Sequence, residues 1–206
     1  DATYVAEGYE VGANEDEATK DQYSYAVSVK PAAFTGTITI GEGTEGTSST
    51  APYAPYYNND MSEQIYTAAE IGKSGQIVSV AFDVMAKDSA PLDEKLSIWL
   101  GHTSASSFTS ANDVITSDLT LVYSNDSANI GSATGWETID LTQPFQYNGT
   151  DNLVVVVLRE KTSTSSKAWS SSLKYSATTT ANDTVWLKSN DSYSWTDLET
   201  AVGNSA

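Results

Sequence analysis

The chain has 206 residues, a net charge of −17, no cysteine, and only 18% charged residues. That length suits one large domain, or a domain with part of a neighbour, and is ample to bury a core without covalent staples. The missing thiols exclude disulfides, thiolate nucleophiles and thiolate metal sites. Ten scattered basic residues against 27 acidic ones exclude a nucleic-acid partner, which needs clustered Lys and Arg. No run of about 18 apolar residues occurs, so membrane insertion is not expected. The heavy use of Ser, Thr, Asn, Gly and Tyr is that of extracellular β-proteins.

Short strands separated by Gly, Asn, Asp and Ser clusters are expected throughout, with almost no helix. Thr3–Val11 and Tyr23–Val29 read as the first two. In the second, Tyr23, Tyr25, Val27 and Val29 share a face, and Lys30-Pro31 ends the pair. This unit, residues 1–32, resembles the last two strands of a fibronectin type III domain. It is expected to be either the tail of such a module or a hairpin docked on the main domain, because a lone hairpin is marginal in water. The sequence opens at Asp1 in a strand-like pattern without a signal peptide, which reads as a mature or excised piece.

A second domain is expected over residues 33–206. Its strands are Thr37–Ile40, Ser62–Thr67, Gly75–Ala86, Lys95–His102, Thr120–Ser124, Glu137–Leu141, Leu153–Glu160, Trp169–Tyr175 and Thr184–Lys188. In Gly75–Ala86 alternation puts Val78, Val80, Phe82 and Val84 in the core, with Ile77, Ser79, Ala81, Asp83 and Met85 opposite. Leu96, Ile98 and Leu100 oppose Ser97, Trp99 and Gly101. Leu153–Leu158 is apolar on both faces, the mark of a central strand. Ala68–Ile71, ahead of Gly72, suits a single helical turn. A Pro-containing edge strand ending near Phe145, then a turn at Asn148-Gly149, leads into the central strand. The fold class expected is all-β: a jelly-roll-like antiparallel β-sandwich with an N-terminal strand pair.

Two blocks carry a family resemblance. One is Pro55-Tyr56-Tyr57-Asn58 followed by SEQIYTAAEIG (Ser62–Gly72). The other is Gly135-Trp136 through Phe145, Tyr147 and Asn148 into the Leu153 run. Together they resemble a module of secreted and surface proteins of the Bacteroidetes, found beside fibronectin type III repeats, peptidases and polysaccharide-degrading domains. The resemblance covers roughly Gly36 to Trp195 and implies a non-catalytic β-sandwich at a bacterial cell surface or secreted from it. Members carry one more apolar strand near Asp197–Ala206. Here there is none, so either the sequence stops short or Thr3–Val29 supplies the pairing.

Several groups bear on chemistry. His102 is the only histidine and no Gly-x-Ser-x-Gly elbow accompanies it, so it reads as a strand-end residue making one hydrogen bond. Glycoside hydrolysis needs two carboxylates about 5–10 Å apart. Asp83, Glu137, Asp140 and Glu160 are the candidates, against the commoner reading that they are solvated outward positions. Asn58-Asn59-Asp60, Asn112-Asp113, Asn125-Asp126 and Asn190-Asp191 offer oxygens for a structural calcium ion. No EF-hand pattern is present, and Asn-Asp pairs also form turns.

Aromatics give the strongest signal. Sugar rings present an apolar C–H face that stacks on flat side chains flanked by polar groups. Tyr53, Tyr56 and Tyr57 in a Pro/Asn loop, with Trp169, Tyr193 and Trp195 among Ser and Asn, are the candidate ligand-binding residues. Trp136 and Trp186 are assigned to the core. The function expected is a non-catalytic carbohydrate-binding module whose partners are a plant or host polysaccharide and neighbouring modules of the same polypeptide. The alternatives are a structural spacer or protein-contacting adhesin module and, third, an acidic-site hydrolase.

Overall fold

The computed structural model of the chain describes residues 35–41, 44–45, 59–86, 92–110, 114–130, 133–161, 174–177 and 184–189. All of them lie in the unit Ala33–Ala206. The expected hairpin of residues 1–32 lies outside the described residues. Nine strands and one helical turn are found among those described: β1 (Thr44–Glu45), β2 (Asn59–Tyr66), α1 (Ala68–Ile71), β3 (Gly75–Ala86), β4 (Leu92–Thr103), β5 (Leu119–Ile130), β6 (Gly135–Tyr147), β7 (Asn152–Lys161), β8 (Lys174–Ala177) and β9 (Thr184–Ser189). They form a four-stranded sheet in the order β1-β8-β3-β6 and a five-stranded sheet in the order β5-β4-β7-β2-β9. Every ladder among them is antiparallel. The fold is all-β, as expected.

Strand β7 holds the middle of the five-stranded sheet, which explains why its sequence is apolar on both faces. Leu153, Val155 and Val157 meet Leu96, Ile98 and Leu100 of β4 in one core cluster. Across the gap Val84, Phe145 and Tyr147 of the other sheet join that cluster, with Val80 and Phe82 partly buried against it. Val154, Val156 and Leu158 face the other way, packed with Met61, Trp99 and Leu119. Val114 and Ile115, from the connection between β4 and β5, cover this second face, and Phe108 packs on Ile65 beside them. The expected opposition of Leu96, Ile98 and Leu100 to Trp99 therefore holds, with Trp99 buried on the outer side.

The pairing of β3 with β6 departs from simple alternation. Ile77 faces Phe145, but Ser79 faces Asp140. Val78 alone thus stands opposite residues 141–144, a bulge that shifts the parity of β3. Ile77 packs towards the core ahead of the bulge, and Val80, Phe82 and Val84 do so after it. Val78 is left 56% exposed, contrary to the alternation read from the sequence. Pro144 falls within the interruption, on a strand at the edge of its sheet, where a missing N–H costs no ladder bond.

The segment Thr37–Ile40 is a second departure, since it joins no strand. Ile40 is partly buried against the core, but Ile38 is exposed along with Thr37 and Thr39, so the expected alternation is not realised. Extended backbone becomes a strand only when a neighbouring ladder takes it up. Helix α1 forms where expected. Thr67 caps it with a reciprocal capping box to Glu70, and Gly72 closes it in the left-handed region at φ 65°, where a Cβ is unfavourable.

At the far end of β7 the core-facing side carries charge. Arg159, the only arginine of the chain, continues the Leu153–Val155–Val157 parity and is fully buried. Its guanidinium bonds the Asp60 carboxylate, and its Nη1 lies 3.5 Å from Glu94 Oε2.

Candidate functional site

Segment Gly36–Ile40 stands off β3 and leaves a cleft of about 550 Å³. Its floor belongs to the sandwich interior: Ile71 of α1, Ile77, Val80 and Phe82 of β3, Tyr147 of β6, and Leu153 and Val155 of β7. The rim is different in character. Thr37, Thr39, Gln76 and Thr138 are exposed and polar, and among them stand three exposed apolar side chains, Ile38, Val78 and Trp136.

Trp136 is placed there by register. It pairs with Asp83 of β3, while Ile139 and Phe82 turn inward from the neighbouring positions. The indole is 56% exposed, so the expectation that Trp136 belongs to the core is corrected. Ile139 and Leu141, which do pack on the core, share a parity that Trp136 lacks. That alternation is the signal that identifies it; its place in the block that carries the family resemblance masks it. Thr138, two residues on, shares that outer side of β6, and a flat indole beside a hydroxyl is suited to the C–H face of a sugar ring.

The floor end of the cleft is held by short hydrogen bonds. Tyr147 donates its hydroxyl to the Asp151 carbonyl at 2.6 Å. Burial, followed by the nearby Asp151 carboxylate, pushes the phenol pKa up from its ordinary value. Asn148 Oδ1 accepts from the N–H groups of Thr150 and Asp151, building the expected turn. The same Asn148 donates its backbone N–H to His102 Nε2 at 3.1 Å, and the His102 ring stacks on Tyr147. Asn152 completes the frame, accepting from the Ala68 N–H at the start of α1 and donating to the Ala105 carbonyl.

The six aromatics expected to bind ligand, Tyr53, Tyr56, Tyr57, Trp169, Tyr193 and Trp195, lie outside the described residues. His102 is a strand-end residue accepting one hydrogen bond, as read from the sequence. The four carboxylates do not converge. Asp83 and Asp140 share the outer side of the β3–β6 pair, but Asp140 faces Ser79, four residues from Asp83, which is about 13 Å along a strand. Glu137 alternates with them on the other side of β6. Glu160 lies on the second sheet, with the outward parity of Val156 and Leu158.

Of the oxygen-rich pairs proposed for calcium, Asn112-Asp113 and Asn190-Asp191 lie outside the described residues, as does Asn58. Asn59 and Asp60 begin β2 rather than a loop, and the Asp60 carboxylate is engaged by Arg159. Asn125 sits within β5, where its Oδ1 accepts from the Ser127 N–H. Among the described residues no three His, Cys, Asp or Glu side chains gather as a metal set, and no helix is long and apolar enough to cross a membrane. No known protein family, curated protein or solved structure matches this chain.

Proposed function

We propose that this chain is a non-catalytic, jelly-roll-like carbohydrate-binding module of a secreted or cell-surface bacterial protein, holding a polysaccharide against its parent polypeptide. The observation that carries the reading is Trp136, exposed at a polar-rimmed cleft of the β-sandwich. The resemblance of the Tyr56-Tyr57 and Trp136–Phe145 blocks to Bacteroidetes surface modules supports it. On sequence grounds alone, Tyr53, Tyr56, Tyr57, Trp169, Tyr193 and Trp195 are proposed as further ligand contacts. Binding by one or a few stacked rings is weak per module.

Affinity electrophoresis through gels containing cellulose derivatives, xylan, mannan, β-glucan or pectin tests this, with and without EDTA. Retardation by one polysaccharide, lost in Trp136→Ala, is the expected result, and loss with EDTA alone identifies a calcium-dependent contact. Free migration in every gel overturns the reading. A second reading, a spacer or protein-contacting adhesin module, is favoured by the exposure of three large apolar side chains, Ile38, Val78 and Trp136, along the cleft, since exposed apolar surface suits a protein contact.

A further inference from the structure

Gln64 stands near the cleft, and the proposed glycan contact leaves it unused. It is buried at 8% exposure, and among the described residues neither its Nε2 nor its Oε1 has a hydrogen-bond partner. In the β2–β7 ladder it faces Val155, and two residues on Tyr66 faces Leu153. Tyr66, Leu153 and Val155 all line the cleft. Gln64 therefore stands on the same face as the cleft floor, one ladder step beyond Tyr66. A buried carboxamide left unpaired loses the hydration of a donor and an acceptor together, and such groups are rare unless water or a ligand satisfies them.

The cleft itself narrows the ligand. Its floor is aliphatic and aromatic, and its volume falls in the range of small-molecule sites. Among the described residues, Lys73 at the exposed rim is the only charged one lining it. A sugar buried there would leave several hydroxyls unpaired, and a carboxylate would meet no cation at the floor. We infer that the cleft floor binds a small neutral amphipathic molecule, an alkyl or aryl body ending in a group that both donates and accepts a hydrogen bond, with Gln64 as its polar partner. A primary carboxamide has that pattern in the same plane as the glutamine side chain. The site is independent of glycan stacking at the rim, where Trp136 is used and Gln64 is not.

The test is isothermal titration of the full chain with octanamide and octanoate, which share a body and differ in the polar end. Octanamide is expected to bind saturably, one to one, and more tightly than octanoate. Gln64→Leu is expected to weaken octanamide at least tenfold, and Val80→Phe, which fills the floor, to abolish it. If Val80→Phe does not fold, Thr39→Trp closes the mouth from its exposed rim. Trp136→Ala is expected to keep octanamide binding while losing glycan retardation, so failure of either site is seen separately. The inference is overturned if octanamide does not saturate the wild-type chain, or if its binding survives both the filling and the closing variant. Unchanged affinity in Gln64→Leu overturns it too, leaving water as the only partner of the amide.

Discussion

Replacing Asp60 by alanine should destabilise this protein far more than loss of an ordinary ion pair. Asp60, Arg159 and Glu94 are each 0% exposed, so solvent cannot take over the charge that loses its partner. Truncating one member of a buried pair costs about 3–5 kcal/mol, against about 0–1 kcal/mol for an exposed pair. Glu94 remains 3.5 Å from the guanidinium, which places Asp60→Ala at the lower end, about 3 kcal/mol. Arg159→Met leaves two carboxylates without their shared cation and belongs at the upper end, about 5 kcal/mol. For a chain of this length about 3 kcal/mol lowers Tm by about 6–12 °C. Urea unfolding, extrapolated linearly to water, gives the free energies directly. The triple replacement Asp60→Leu, Glu94→Leu, Arg159→Met should recover most of the loss, since well-packed apolar residues substitute for buried charge at little cost. A change below about 1 kcal/mol in Asp60→Ala, the scale of an exposed pair, would refute the reasoning.

Two further outcomes concern the frame of the cleft. The raised pKa of Tyr147, caused by burial and then by Asp151, means the folded state holds that proton more tightly than the unfolded one. The associated stability is complete below the unfolded phenol value, about 10, and is lost as pH rises above it. Tyr147→Phe should flatten that alkaline limb in thermal melts taken from about pH 8 to 11, either side of that value. Gly149 and Gly72 both lie at positive φ, 76° and 65°, so alanine at either costs about 1–2 kcal/mol of left-handed strain. At Gly149 the new Cβ also meets Ser74 Cβ at 2.7 Å, whereas at Gly72 its nearest neighbour is 3.8 Å away. Chemical denaturation should therefore rank Gly149→Ala as the more damaging.

Most of what is legible in the sequence is local. Ala68–Ile71 followed by Gly72 announces a one-turn helix, and the Leu153–Leu158 run announces a central strand without reference to any partner. The errors arise where a neighbour decides. The bulge at Val78 depends on how β6 lies against β3, so no reading of β3 alone reveals that Ile77 and Val80 both turn inward. Trp136 is misassigned although its own strand carries the correct alternation, because its place in the block that carries the family resemblance outweighs its parity. Asp60 reads as a loop ligand because Asn58 and Asn59 precede it. The counter-signal lies 99 residues away, where Arg159 extends the inward parity of the buried run and so requires a buried anion. Gln64 can be placed in β2 from its sequence, but its missing partners are a property of the packed interior.

One strand face connects these features. The inward side of β7 runs from Leu153 and Val155 at the cleft, through Val157, to Arg159 at the charged trio, about 20 Å along the strand. The strands β4, β7 and β2 of one sheet are thus cross-linked by ion pairing at one end, and the interior is left incompletely filled at the other. The unfilled end is framed by Asn152, which bonds both the start of α1 and the β4–β5 connection. A cleft held in this way needs little ordering when a ligand enters, which conserves affinity in a weak site. The separation also makes the two ends energetically distinct, because effects of sites more than about 10 Å apart are usually additive. Asp60→Ala should therefore lower Tm without altering glycan retardation below that Tm, while Trp136→Ala should remove retardation and leave Tm almost unchanged. Coupled losses in both variants would mean that the cleft exists only as a consequence of global packing, and the independence of its frame from the charged end would fail.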